Sequence, residues 1–387
     1  MREGRRVYDA DTHVQPSAEA LESYLSSRVR ELVPDLQEKK SPIRIGLAGE
    51  VRTEPYRHMY RFGGGEGGWG GSAVRVLGEA GPREGMTRRF QKFMGSRFPT
   101  EGGAEDGAIR VRDMDEEGVD VHMMVPNGAN GHPDPEVEME FIRAQHRYLN
   151  DMCTPYPHRL KSLIVASARN IEESLKEIET WASSSWAVGV QPYLPLDYPI
   201  DHPDLEPIWR AAEAHNLAVV HHSFASGYPG YRDLWNSPFI GRTASHPWGA
   251  MRFVAAVFGS GMMDRHPELR VAILESGFGW LPFWGARMDD QVEYMGYVAE
   301  DLKHKPSEYM TSGRFFASIV LHEGPQMMRI VSDLLGDDIL MFGSDYPHAE
   351  SRFPNSVDKV LSWGEIVEPK AIEKLLWDNP VRLFGEP

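Results

Sequence analysis

Short apolar runs alternate with amphipathic stretches along the whole chain. Eight runs read as strands: Arg6–Ala10, Val119–Val125, Leu160–Ala168, Ala187–Gln191, Ala218–His222, Arg270–Leu274, Phe315–Val320 and Ile339–Phe342. Most are unbroken apolar or β-branched runs, as expected of parallel strands covered on both faces. Helical periodicity fills the gaps, over Pro135–Met152, Ile171–Ser183, Asp204–His215, Trp248–Arg265, Leu281–Val298 and Gly324–Leu335. Two more helices, near Pro354–Trp363 and Pro369–Leu376, follow the eighth strand. Such alternation implies right-handed βαβ units. Eight of them predict a closed α/β architecture, the (β/α)8 TIM barrel, as a single domain over residues 1–387.

The first crossover breaks the rhythm. A long insertion separates the first strand from the second, over about 20–108, and includes the glycine-rich run Gly63–Gly71. That run lacks the Lys-Ser/Thr of a phosphate-binding loop and does not follow a strand, so it reads as linker. The insertion is expected to form a lid over the barrel mouth or a subunit contact, with a surface excursion without function as the plain alternative.

Composition narrows the function classes. The chain carries 41 Lys and Arg against 57 Asp and Glu, a formal charge of −16. A surface this acidic repels phosphate backbones, so nucleic acid is not an expected partner. No window offers the ~20 apolar residues of a membrane helix. The basic start, MREGRRVYDADTH, passes straight into a strand without the apolar stretch of a secretory signal. A single cysteine, Cys153, excludes an intramolecular disulfide and a thiolate-only metal site. A cytoplasmic enzyme acting on a small molecule fits these limits.

Chemistry in a βα barrel sits at the C-terminal ends of the strands. The first strand runs out through Asp11 and His13, which leave the same face of an extended chain. The fifth ends in His221-His222, of which alternation lets one face inward. Glu275 ends the sixth, and the eighth runs out to Asp345, with His348 just beyond. Buried charges at four strand ends are costly unless they are paired or hold a metal. Mixed oxygen and nitrogen ligands suit Zn, Mn or Fe better than Mg or Ca. One divalent ion is expected, with two as the alternative.

These segments also carry a resemblance. YDADTHVQP, IRVRDMDEEGVDVHMMVP, DHPDLEPIWRAAEAHNLAVVHH, DRHPELRVAILESGFGWLPFWGARMDD and LMFGSDYPHAESRFPNS resemble the amidohydrolase-related family. That family includes aminocarboxymuconate-semialdehyde decarboxylase and its aromatic-acid decarboxylase and hydrolase relatives. The likeness spans nearly the whole chain outside about 45–105. It implies a metal held by Asp11, His13, His221 and Asp345, with His222 as the register alternative and Asp345 also moving a proton. Many decarboxylase members have His where Asp11 stands, and a catalytic His where Glu275 stands. Glu275 is therefore expected to serve as a base, a metal ligand or a bridge between two ions. His246 is expected as a further catalytic group, and with His348 it could complete a second metal site. As plainer roles, His246 caps its helix and His348 orients Asp345. Trp280, Phe283, Trp284 and Tyr346 are candidates for lining a pocket, with His222 and His348 also offered to substrate. Arg287 reads as structural, and Asp113 and Asp115 as solvent-facing or capping.

Three functional readings follow from the resemblance. The first is a metal-dependent hydrolase or decarboxylase acting on a small carboxylated molecule, aromatic or cyclic ones included. The second is a dinuclear non-haem iron oxygenase on the same fold. The third is a non-catalytic partner subunit. A homo-oligomer, or pairing with a homologous subunit, is expected by analogy with barrels that carry long first-loop insertions.

Overall fold

The computed structural model describes residues 1–47, 50–60, 102–127, 132, 134–194, 198–222, 238–298, 302–348 and 350–387; the side chains of 41–57, 238–242, 245 and 246 lie outside that description. The chain folds as a (β/α)8 TIM barrel. In chain order its strands are β1 (Tyr8–Val14), β2 (Lys40–Leu47), β3 (Glu50–Tyr60), β4 (Val121–Pro126), β5 (Leu160–Ser167), β6 (Ala187–Tyr193), β7 (Ala218–His222), β8 (Val271–Leu274), β9 (Phe315–Ser318) and β10 (Leu340–Met341). Eight of them form one parallel sheet in the order β1-β4-β5-β6-β7-β8-β9-β10. The segment after β10 bonds back to β1: Ala10 N donates to Phe342 O at 2.9 Å, Asp345 N to Asp11 O at 2.9 Å, and His13 N to Tyr346 O at 2.7 Å.

Two apolar layers account for this closure. Tyr8, Ala10, Met123, Val125, Leu163, Val220, Leu274, Phe316 and Met341 fill the barrel interior. The alternate residues of the same strands, such as Val219, Val271 and Phe315, pack outward against the helices. A barrel of eight strands has room for side chains only, so its interior is core rather than channel. The C-terminal helix plugs the base, where Phe384 stacks on Tyr8 with ring centroids 6.0 Å apart.

Helices up to the last strand include α1 (Ala18–Glu22), α2 (Ser27–Leu32), α3 (Gly107–Glu117), α4 (Pro135–Cys153), α5 (Ile171–Trp181), α6 (Glu206–Ala214), α7 (Pro238–Gly259), α8 (Met262–Arg265), α9 (Leu281–Tyr294), α10 (Pro306–Met310) and α11 (Gly324–Leu335). Most match the periodic stretches read from the sequence. Two differ. Helix α7 begins at Pro238 and not at Trp248, so His246 lies within a helix rather than opening one. Helix α3 gave no apolar period because its inward face is charged: Arg110, Asp113 and Glu117 are buried there beside Met114.

The first crossover contains α1, α2 and the antiparallel hairpin β2–β3. Val29, Val33, Leu36 and Tyr60 pack on Val137 and Phe141 of α4, so the insertion is anchored to the barrel's helical shell. The run Gly63–Gly71 lies outside the described residues.

Candidate metal centre

Four strand ends meet at the C-terminal mouth, and three of them are aimed by a local irregularity. In β1, Tyr8 and Ala10 face the interior, while Val7 and Val14 both belong to the outer layer. Strict alternation would place Val14 with Tyr8. The register against β4 shifts between Asp9 and Thr12, and this bulge brings Asp11 and His13 to the mouth.

The fifth barrel strand, β7, obeys simple alternation. Ala218 and Val220 point inward, so His222 does too. The expectation that His221 faces the mouth is corrected here. His221 points outward and stacks on Phe253 of α7, ring centroids 4.5 Å apart and 16° between planes. Burial, then the charges of His222 and Arg252, lower its pKa to about 3.

Glu275 and Asp345 are turned by the backbone. Both are non-glycine residues in the left-handed region, with φ of 48° and 63°, a conformation that costs roughly 1–3 kcal/mol and collects at functional sites. After the inward Leu274, a continued strand would turn Glu275 outward; the left-handed step keeps it in the mouth. Gly343 is the other concession: a Cβ there would lie 2.7 Å from Asp11 Cβ and 3.1 Å from Ser318 Cβ. Only glycine lets the end of β10 approach Asp11 this closely.

The resulting cluster is dense. His13 Nε2 lies 2.8 Å from Asp345 Oδ1, 3.7 Å from Glu275 Oε2 and 3.9 Å from Asp11 Oδ1. His222 Nε2 lies 3.1 Å from Glu275 Oε2 and 3.7 Å from Asp11 Oδ1. His348 stacks on His13 with centroids 3.9 Å apart, and its Nδ1 is 2.7 Å from Asp345 Oδ1. All but His348 are buried.

Supporting bonds fix this arrangement. Asp11 Oδ2 accepts from Ser318 Oγ at 2.8 Å and from Glu275 N at 2.9 Å, tying β1, β8 and β9 together. The Arg110 guanidinium, fully buried, donates to the His13 carbonyl and to Thr12 Oγ1. Asn127, just past β4, meets His13 Nδ1 at 3.1 Å. The sequence reading did not single out Ser318, Asn127 or Arg110 for the site.

Proton affinities in the protein alone show how strained this crowding is. Burial first, then the charges of Asp345 and Glu275, push Asp11 up to about 7, against the pull of His222. Burial alone would lower His222, but Glu275, Asp11 and Asp345 raise it to about 9. Burial with the charges of His348 and His222 lowers His13 to about 4. Asp345 is held well below the usual carboxylate range; burial opposes this, and His348 and His13 outweigh it.

Such a donor set fits a divalent cation. Ligand atoms of His13, Glu275, Asp345 and His348 all lie within 4.8 Å of one another, and so do those of Asp11, His13 and His222. Asp11 Oδ1 is buried with no hydrogen-bond partner among the described residues, an arrangement costly in a folded interior unless an ion supplies the missing contact. With neutral imidazoles and ionised carboxylates, a cation would also offset the like charges.

Other expectations fall elsewhere. Tyr346 does not line the mouth: its ring is buried at 5.0 Å from the Arg110 guanidinium, and its hydroxyl donates to Asp113 Oδ2 at 2.6 Å. Asp113 is thus a buried acceptor rather than a solvent-facing group. Trp280 packs on the outer core and donates its indole N–H to Ser276 O at 2.9 Å. Trp284 likewise donates to Met251 O, while Phe283 is 62% exposed. The side chain of His246 lies outside the described residues.

Residues 10–385 match the family described as amidohydrolase. An amidohydrolase from Mycobacterium avium subsp. paratuberculosis K-10 superposes with a TM-score of 0.72 at 17% identity, covering 99% of this chain and 98% of that one. 5-Carboxyvanillate decarboxylase from Sphingomonas paucimobilis gives 0.64 at 19% identity, covering 99% of each. The corresponding enzyme of Novosphingobium aromaticivorans DSM 12444, complexed with manganese and 4-hydroxy-3-methoxy-5-nitrobenzoic acid, gives 0.65 at 15% identity, covering 99% and 97%. At these identities the likeness is one of fold.

Proposed function

The chain belongs to the amidohydrolase family, and on that premise we propose that its barrel mouth is the active site of a metal-dependent carboxy-lyase or hydrolase for small carboxylated molecules. The observation that carries the reading is the gathering of Asp11, Glu275 and Asp345 around His13 Nε2, with His222 against Asp11 and Glu275. Aromatic acids are the first substrates to try, because two of the similar folds are decarboxylases of such an acid.

In this reading Asp11, His13, His222 and Asp345 hold one divalent ion, with manganese, zinc and iron as candidates. The ion, when bound, polarises the substrate and stabilises negative charge that develops during bond cleavage. Asp345, kept ionised by His348 and His13, is a ligand and proton acceptor, and His348 orients it. Glu275 stands where the sequence resemblance implies an imidazole, and we assign it the proton transfer. In a decarboxylation the C–C bond to the carboxylate breaks, its electron pair stays on the substrate carbon, and that carbon takes a proton. Glu275 is buried beside His222, so the proton is delivered away from bulk water. The insertion over 20–108 is proposed as the lid or subunit contact beside this mouth.

The test is turnover of a panel of hydroxylated aromatic carboxylates by metal-loaded protein, followed by CO2 release. Asp345→Asn should abolish turnover while the circular dichroism spectrum stays unchanged. Full activity in that variant overturns the assignment.

A second reading rests on a different detail. The two ligand groups overlap only at His13, which leaves a second set (Glu275, Asp345 and His348) able to bind another ion. Two iron atoms per chain together with substrate-dependent oxygen uptake would favour a dinuclear oxygenase; one ion and no uptake favours the carboxy-lyase or hydrolase.

A further inference from the structure

His13 is the ligand common to both groups, and its ring has only two nitrogens to satisfy. Nε2 faces the cluster. Nδ1 meets the Asn127 side-chain amide at 3.1 Å, with the amide nitrogen as the near atom. An amide N–H donates, so Nδ1 accepts in this arrangement and the ring proton belongs on Nε2, which lies 2.8 Å from Asp345 Oδ1. That tautomer has no lone pair at Nε2 for a cation. A ring that coordinates through Nε2 must carry its proton on Nδ1 and give it to an acceptor, which is how partners of metal-bound imidazoles orient and tune them.

Asparagine can serve both tautomers. A half-turn of its amide exchanges nitrogen for oxygen at almost no change in shape. Its backbone is fixed independently: Asn127 N donates to Val14 O at 2.8 Å, anchoring the residue at the end of β4 whichever way the amide faces. We propose that Asn127 is a positioning residue that sets the tautomer of His13, presenting its amide nitrogen to one form and its amide oxygen to the metal-binding form. The proposal rests on the metal-centre reading given above. It explains why an uncharged side chain, rather than a fixed acceptor, meets a shared ligand: an aspartate would add a further negative charge close to three carboxylates.

Two substitutions separate this role from simple packing. Asn127→Leu keeps the volume and removes both donor and acceptor. Asn127→Asp can only accept, which locks the metal-binding tautomer. Affinity for Mn2+ is read by competition with a fluorescent chelator, alongside the melting temperature of the chelator-treated protein. Asn127→Leu should weaken Mn2+ binding about 10- to 100-fold, while Asn127→Asp retains affinity within about threefold of the parent or improves on it. The melting temperature of the Leu variant should stay close to the parent's, while that of the ion-free Asp variant should fall, because it adds a negative charge beside three carboxylates. Equal affinity in the parent and the Leu variant overturns the proposal. So does equal weakening in both variants, because it marks a packing effect. Absence of Mn2+ binding by the parent itself would instead strike the metal-centre reading.

Discussion

His222 Nε2 lies 3.1 Å from Glu275 Oε2, although its neighbour in sequence, His221, points to the opposite side of the same strand. The two imidazoles therefore have separable roles. His222→Ala should reduce metal content below a tenth of the parent's. His221→Phe keeps the stack on Phe253 and removes a buried nitrogen that has no hydrogen-bond partner among the described residues; metal content should be unchanged and stability equal or higher. Metal analysis by mass spectrometry decides, and the reverse pattern would show the register of β7 to be wrong.

Gly343 makes a second prediction. Its α-hydrogen sits where a methyl group would meet Asp11 Cβ at 2.7 Å and Ser318 Cβ at 3.1 Å. Gly343→Ala should push Asp11 out of the cluster and cost about 1–3 kcal/mol of stability, as overpacking does. Metal affinity should fall with it, by more than tenfold. A variant with parental affinity would show that Asp11 is not held where the fold places it.

Much of this centre can be read in the sequence, because acids and imidazoles at strand ends stand out against apolar runs. What could not be read is orientation. Every residue of β7 is buried, so no polar–apolar alternation marks which histidine faces in. The bulge between Asp9 and Thr12 and the left-handed backbone at Glu275 and Asp345 involve no glycine and leave no trace in composition. Ser318 and Asn127 occupy strand ends by the same logic as Asp11, but uncharged residues there attract no notice until their contacts are known. Arg110 was hidden for the opposite reason: charges on the buried face of α3 erased the period that would have announced a helix.

A pH dependence follows from a site away from the mouth. Glu177 of α5 accepts from His146 Nδ1 at 2.6 Å and from Trp181 Nε1 at 3.0 Å, while His146 Nε2 accepts from Val165 N at 3.0 Å. Burial alone would raise the Glu177 pKa, but His146, Trp181 and Arg143 hold it below the ordinary 4.5. A depressed carboxylate stabilises the fold above its unfolded pKa and loses that contribution as pH falls through the folded value. As pH falls below the ordinary 4.5, the parent should lose more stability than Glu177→Gln, measured by urea denaturation. Parallel curves would remove Glu177 from the account.

The central claim is that strand ends remote in sequence enclose one cation. Crystals of protein expressed without added metal, measured at the absorption edges of manganese, iron and zinc, test it most directly. The expected result is an anomalous peak roughly 2.0–2.2 Å from His13 Nε2, His222 Nε2 and carboxylate oxygens of Asp11 and Asp345. A mouth without such a peak after loading with each metal in turn, or a peak bound by other residues, would contradict it.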